Sequence, residues 1–190
     1  PEKKDFYKKA LLRLVDYLET NAVKEGDGLK WESTLNIDKG NKGFNLSLSH
    51  GISSVVYLLA KMSENDIEKD RIAPLLRGAI NYIDSYDKKG DEGFSLFPSW
   101  IDPNQSVAYN SRLAWCYGDI GIGKAFEWSG TVLNDEAIKH RASDILNASS
   151  KRMNPENTLV VDAGFCHGSF GNAHMFHQFG LKSHEGVYEK

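Results

Sequence analysis

Along three stretches of this chain, apolar and polar residues alternate with the spacing of an amphipathic helix. In residues 4–22, for example, Leu11, Leu14 and Leu18 recur three or four positions apart among polar residues, which places them on one face of a helix. Residues 68–86 follow the same pattern, as do residues 134–148, where Asn134 is a suitable N-cap. We expect these three helices to lie on the outside of the fold, each with its apolar face against the core.

Between the amphipathic stretches lie shorter ones that are almost uniformly apolar or small, at residues 52–61, 120–129 and 170–179. A helix that is apolar nearly all round is usually buried, so these stretches predict inner helices. The order of outer helix, long loop, glycine turn and inner helix occurs three times, with the loops at residues 24–48, 88–114 and 149–165. Such repeats bury a core only by stacking or by forming a ring. The pattern predicts an all-α fold in one domain over residues 1–190.

Each predicted inner helix follows a short turn that ends in glycine. The three turns are Ser49-His50-Gly51, Cys116-Tyr117-Gly118 and Cys166-His167-Gly168. If the inner helices run parallel, the three turns meet at one end of the ring. His50, Cys116, Cys166 and His167 would then come together although they are far apart in sequence.

Two thiols and an imidazole are the ligand types of a zinc site with one position left open, which is typical of catalytic rather than structural zinc. A thiol at a helix N-terminus also has a lowered pKa, and the thiolate is the form that binds metal. The alternative is that Cys116 and Cys166 are buried, inert residues that pack as small apolar side chains. Their matched positions in two glycine turns favour the metal site.

Three other polar residues near these turns have two interpretations each. His50 is either a general acid or base with a pKa near neutrality or a residue that caps the following helix. Arg112 and Tyr117 either bind an anionic intermediate and orient the metal ligands or are structural. Asp119 is read as complementing the helix dipole, and Asp162 as a turn residue.

The composition narrows the classes of function. The formal net charge is −3, which gives no indication of a nucleic-acid-binding surface. The longest apolar runs fall far short of the ~18 residues that a membrane span requires, and the charged first residues do not resemble a signal peptide. We therefore expect a cytoplasmic protein without a nucleic-acid partner or a membrane span, in which cysteines serve a metal or catalysis rather than a disulfide.

The three motifs, taken in order, resemble those of the lanthionine synthetase C-like (lanthionine cyclase) family. They are Ser-Leu-Ser-His-Gly at residues 47–51, Arg-Leu-Ala-Trp-Cys-Tyr-Gly at residues 112–118 and Cys-His-Gly at residues 166–168. The resemblance extends over essentially the whole chain. It implies an α/α toroid, and because the family's full ring is longer than this chain, we expect only part of that ring.

The resemblance also implies a chemistry. Zinc would activate a peptide cysteine thiol for addition to dehydroalanine or dehydrobutyrine, which forms lanthionine or methyllanthionine rings. The partners would be a dehydrated precursor peptide and a dehydratase. By the same resemblance, the zinc ligands are Cys116, Cys166 and His167, a proton-transfer role belongs to His50, and Arg112 and Tyr117 line the site.

Two other classes of protein share features with this sequence. The first is a non-catalytic, zinc-containing module of the same fold that binds glutathione, another thiol or a protein. The second is a different toroid enzyme, such as a glycosidase or prenyltransferase, which needs carboxylates that converge on the cavity. The acidic residues here lie mostly on predicted outer faces and in loops, which argues against the second class.

Overall fold

The computed structural model describes residues 2–36 and 41–183. These residues contain seven helices and five short strands, which are joined by loops. The helices are α1 (Glu2–Asn21), α2 (Ile52–Glu64), α3 (Lys69–Ser85), α4 (Asp119–Val132), α5 (Glu136–Ser150), α6 (Pro155–Thr158) and α7 (Ser169–Ser183). The strands are β1 (Val23–Glu25), β2 (Gly28–Lys30), β3 (Ser33–Asn36), β4 (Asn41–Asn45) and β5 (Trp100–Ile101). The predicted outer helices are α1, α3 and α5, and the predicted inner helices are α2, α4 and α7. The prediction of a mainly helical fold is therefore confirmed.

The outer helices turn charged faces to solvent and apolar faces to the core. Arg71 of α3 lies 2.6 Å from Asp16 and 2.5 Å from Glu19 of α1, but exposed ion pairs of this kind contribute only ~0–1 kcal/mol. The apolar faces hold the helices in place, since Val15 and Ile72 are fully buried and removal of such side chains from water is the main stabilising term. Within the described ranges, no helix has both the length and the apolar content to cross a membrane.

Helix α4 is the most completely buried of the inner helices. Every residue from Asp119 to Phe126 is buried, as its nearly uniform apolar pattern predicts. At Gly123 it approaches α5 so closely that a Cβ atom would lie 2.7 Å from Leu146 Cγ. The small residues of α4 thus allow the close approach of an inner helix and its outer neighbour.

Helix α7 is buried on one side only. Phe179 packs with Ile120 of α4 and Leu146 of α5, whereas Phe170 is 69% exposed. The prediction of a helix buried all round is therefore wrong for α7, because the described residues cover only its face toward α4 and α5.

The long loop predicted over residues 24–48 contains most of the strand structure. β1 and β2 form an antiparallel hairpin that turns at Gly26, where φ is 57°, and β3, β4 and β5 form an antiparallel sheet. β2 packs closely on α3, since a Cβ atom at Gly28 would lie 2.8 Å from Tyr82 Cα. Strands of two to five residues are too short for periodicity to reveal, so the loop prediction was wrong here.

Two smaller differences concern helix ends. The N-cap of α5 is Asp135, whose Oδ1 accepts a hydrogen bond from Ile138 N at 3.3 Å. Asn134, the predicted cap, instead has a positive φ of 49° in the preceding turn. The short helix α6 lies in the stretch predicted as a loop over residues 149–165.

Candidate metal centre

The three glycine turns have the same local construction. In each one, a glycine directly before an inner helix faces the carbonyl oxygen of the residue six positions earlier. A Cβ atom would lie 2.2 Å from the Asn45 oxygen at Gly51, 2.1 Å from the Arg112 oxygen at Gly118 and 2.6 Å from the Asp162 oxygen at Gly168. These distances exclude any other side chain without a backbone shift, so the shared glycine is a geometric requirement of the turn.

Gly118 carries the strongest requirement, because its φ of 103° adds backbone strain to the contact with Arg112. We expect Gly118→Ala to lower the free energy of unfolding by about 1–3 kcal/mol, measured by urea unfolding of the metal-free protein. Gly90→Ala is the matched control, because a Cβ atom there would have nothing within 4 Å. Equal losses of stability in the two variants would contradict the role given to Gly118.

The second and third turns bring two thiols and an imidazole together. One ligand atom from each of Cys116, Cys166 and His167 lies within 4.8 Å of the others, and both cysteines are free thiols. Trp115 Nε1 donates a hydrogen bond of 2.8 Å to the carbonyl oxygen of Phe165, which joins the residues directly before the two cysteines. The predicted convergence of these turns is therefore present in the structure.

The first turn meets the second through the backbone. Ser49 N donates a hydrogen bond of 3.0 Å to the carbonyl oxygen of Cys116. Ser49 occupies the position in its turn that Cys116 and Cys166 occupy in theirs. The three turns thus lie side by side at one end of the inner helices, and two of the three carry a thiol at the same position.

The cluster runs from the protein interior to solvent. Cys116 is 3% exposed, whereas Cys166 is exposed and His167 is partly exposed. Burial raises the pKa of the Cys116 thiol to about 11, together with the hydrogen bond that this thiol donates to Cys166 and the charge of Cys166. This is the opposite of the lowered pKa expected from the sequence. A cation that binds here must therefore displace a proton from Cys116 at neutral pH.

A cleft of about 340 Å³ opens beside the cluster. Cys116 and His167 form part of its wall, and Arg112, Tyr117 and Leu159 form another part. A cation bound by the cluster would therefore lie at the wall of this cleft. The structure therefore brings two of the predicted catalytic residues, Arg112 and Tyr117, to the predicted ligands.

His50 lines a second cleft and not the one beside the cluster. Its ring is 6.0 Å from the ring of Tyr117, measured between centroids, and it lines a cleft of about 570 Å³ with Trp31 and Glu32. Tyr117 thus contacts His50 and also lines the 340 Å³ cleft beside Cys116. The alternative that His50 caps α2 does not hold, because the N-cap is Gly51 and no side chain makes a capping hydrogen bond there.

A buried ion pair behind the cluster was not predicted from the sequence. The Asp119 carboxylate is fully buried and accepts hydrogen bonds from Leu96 N and Phe97 N, both at 3.0 Å, and from Arg152 Nη1 at 2.8 Å. Arg152 also donates to the carbonyl oxygen of Ser111 at 2.7 Å, and Ser111 lines the 340 Å³ cleft. The pair therefore fixes a wall of the cleft to the first residue of α4.

The interpretation of Asp119 as a residue that complements the helix dipole is therefore incomplete. Removal from water raises the pKa of its carboxyl group, against the opposing effects of the hydrogen bonds and of the Arg152 charge. The position of Asp119 directly after a Cys-Tyr-Gly turn is a signal that could have singled it out. Nothing in the sequence around Arg152 identifies that residue as its partner.

The fold and the cluster together define a helical protein whose inner-helix turns converge on a potential metal site. Residues 2–189 match the family described as lanthionine synthetase C-like protein. The chain belongs to this family, which confirms the identification made from the three motifs. Curated protein sequences give no match to this chain.

A solved structure described as nisin cyclase has the same fold. It matches with a TM-score of 0.79 and 18% sequence identity, over 97% of this chain and 48% of that chain. This likeness confirms the predicted toroid as the architecture to which the described helices belong. The chain spans about half the length of that protein.

Proposed function

We propose that this chain is the zinc-binding part of a peptide cyclase, which adds a cysteine thiolate to a dehydroalanine or dehydrobutyrine within one precursor peptide. The observation that carries the proposal is the cluster of Cys116, Cys166 and His167 within 4.8 Å, in a chain of the lanthionine synthetase C-like family. The exposure of Cys166 supports an open side at which a peptide thiol can approach.

The donor set fits zinc. Two thiolates and one imidazole provide three ligands, and such a set leaves a fourth position for a substrate. When bound, zinc lowers the pKa of a coordinated thiol so that the thiol is ionised at neutral pH. The two thiolate ligands would balance the double positive charge of the ion, which favours its retention in a partly buried place.

The residues around the cleft can perform the remaining steps. Addition of sulfur to the β-carbon of the dehydro residue moves an electron pair toward the neighbouring carbonyl group, and the α-carbon then takes up a proton. Arg112 lines the cleft with a positive charge suited to the developing negative charge. His50 can hold the proton to be moved, because an imidazole ring can both accept and donate a proton. Tyr117 lies between His50 and the cluster.

The proton-transfer role is tested with His50→Ala. We expect this variant to retain zinc and to close thioether rings ~10²–10⁴-fold more slowly, the usual contribution of general acid–base catalysis. The measurement is mass-spectrometric detection of free peptide thiols over time with a dehydrated precursor peptide. His140→Ala, on the exposed face of α5, is the control and should leave the rate unchanged.

Unchanged ring closure in His50→Ala would contradict the role of His50. A wild-type protein that binds zinc but closes no rings would instead support the alternative, a zinc-containing module that binds glutathione, another thiol or a protein. The two outcomes are distinguishable, because ring closure is measurable in the first case and is absent even from the wild-type protein in the second.

The proposed reaction defines the partners. Its substrate contains dehydro residues, which arise by removal of water from serine or threonine, so a dehydratase must act on the peptide first. No helix in the described part of the chain is long and apolar enough to cross a membrane. A cytoplasmic location is a separate proposal, which rests on the sequence alone.

A further inference from the structure

The two carboxylate oxygens of Asp162 have different partners. Oδ1 accepts a hydrogen bond of 2.6 Å from Gly164 N, within the turn before α7. Oδ2 lies 3.4 Å from Nε2 of His167. The backbone of Asp162 is also held, since its carbonyl oxygen accepts from Ser169 N at 3.0 Å. Asp162 is therefore fixed to the first turn of α7 while one oxygen faces the imidazole of the cluster.

The first glycine turn shows what the turn itself requires. Asn45 is at the equivalent position, and its Oδ1 accepts from Ser47 N at 2.8 Å, as Asp162 accepts from the residue two positions on. The closing backbone bonds also match, from Gly51 N to Ser47 O and from Gly168 N to Gly164 O. An amide side chain therefore suffices to form this turn, and the negative charge of Asp162 is not needed for it.

The contact between the second oxygen of Asp162 and His167 is typical of histidines that bind a metal. A histidine that binds a metal through one ring nitrogen usually donates the N–H of the other to a carboxylate or carbonyl group, which fixes the tautomer and the ring orientation. His167 is 44% exposed in its side chain, so the surrounding protein does not hold the ring on all sides. Nε2 already faces a carboxylate, which leaves Nδ1 as the nitrogen available to a metal.

We propose that Asp162 is a positioning residue for His167: it accepts a hydrogen bond from the Nε2–H group and thereby presents Nδ1 to the metal beside Cys116 and Cys166. This inference rests on the proposed function, because it requires that the cluster binds zinc. It adds a residue outside the ligand set and assigns the ligand nitrogen.

The test is zinc affinity of the full chain, measured by competition with a chromophoric chelator. Asp162→Asn retains an oxygen for the bond from Gly164, as Asn45 does in the first turn, but removes the charge that faces Nε2. We expect its zinc affinity to fall ~10–100-fold, with an unchanged unfolding midpoint of the metal-free protein. Asp144→Asn, which removes the same charge from the exposed face of α5, should bind zinc as the wild type does.

A second measurement does not depend on the variant. Long-range ¹H–¹⁵N spectra of the zinc-loaded wild type, with the His167 signals assigned by their loss in His167→Gln, should show a protonated Nε2 and a metal-bound Nδ1. A metal-bound Nε2, or wild-type affinity in Asp162→Asn, would overturn the inference while the proposed zinc site stands. Absence of zinc binding by the wild type would overturn the proposed function and this inference together.

Discussion

Replacement of either Cys116 or Cys166 with alanine is expected to lower the zinc content of the purified protein from about one ion per chain to near zero, and ring closure with it. Each variant leaves one thiol and one imidazole of the cluster, and two ligands rarely retain zinc against dilution and washing. The buried thiol of Cys116 also has no neighbour that can replace it as a sulfur ligand, because the described cysteines are only these two.

Elemental analysis after gel filtration measures this effect directly. Ser49→Ala is the matched control, since Ser49 has the corresponding position in the first turn but lies outside the cluster. It should retain zinc. Full retention of the metal in either cysteine variant would contradict the ligand assignment, whatever the effect on activity.

The second large effect is expected from Arg152→Met. The change leaves the Asp119 carboxylate buried without its counter-ion, and breaking a buried ion pair by removing one partner costs about 3–5 kcal/mol. Arg152 also holds the carbonyl oxygens of Ser111 and Asn157, so the cleft wall should loosen as well. Urea unfolding of the metal-free protein measures the loss of stability.

Arg77→Met is the control for that experiment. Arg77 lies 2.6 Å from Asp135 in an ion pair whose arginine side chain is 50% exposed, and exposed pairs contribute about 0–1 kcal/mol. Equal decreases in the free energy of unfolding of the two methionine variants would show that the Asp119–Arg152 pair stabilises the fold no more than an exposed ion pair does.

The sequence predicts the helices and the convergence of the turns well because both follow from local rules. Apolar spacing identifies α1 and α3, and the glycines at 118 and 168 mark turns into helices that run side by side. Equivalent positions in parallel repeats come to the same end of the fold. Cys116 and Cys166 therefore meet for a reason that requires no knowledge of long-range contacts.

Features that depend on contacts between distant segments were missed. The strands β1 to β5 are too short to show periodicity, and they are held by packing such as that of Gly28 on Tyr82. The pairing of Asp119 with Arg152 joins residues 33 positions apart, and no local pattern connects them. Asp162 was correctly predicted as a turn residue, but its contact with His167 became visible only in three dimensions.

We propose that Cys116, Cys166 and His167 hold one zinc ion with a position left for a substrate thiol. X-ray absorption at the zinc edge of the purified protein tests it most directly. We expect a coordination shell of two sulfur atoms at about 2.3 Å and two nitrogen or oxygen atoms at about 2.0–2.1 Å, with a third sulfur replacing an oxygen when a peptide thiol is added. A shell of four sulfurs before any thiol is added, or one without sulfur, would contradict it.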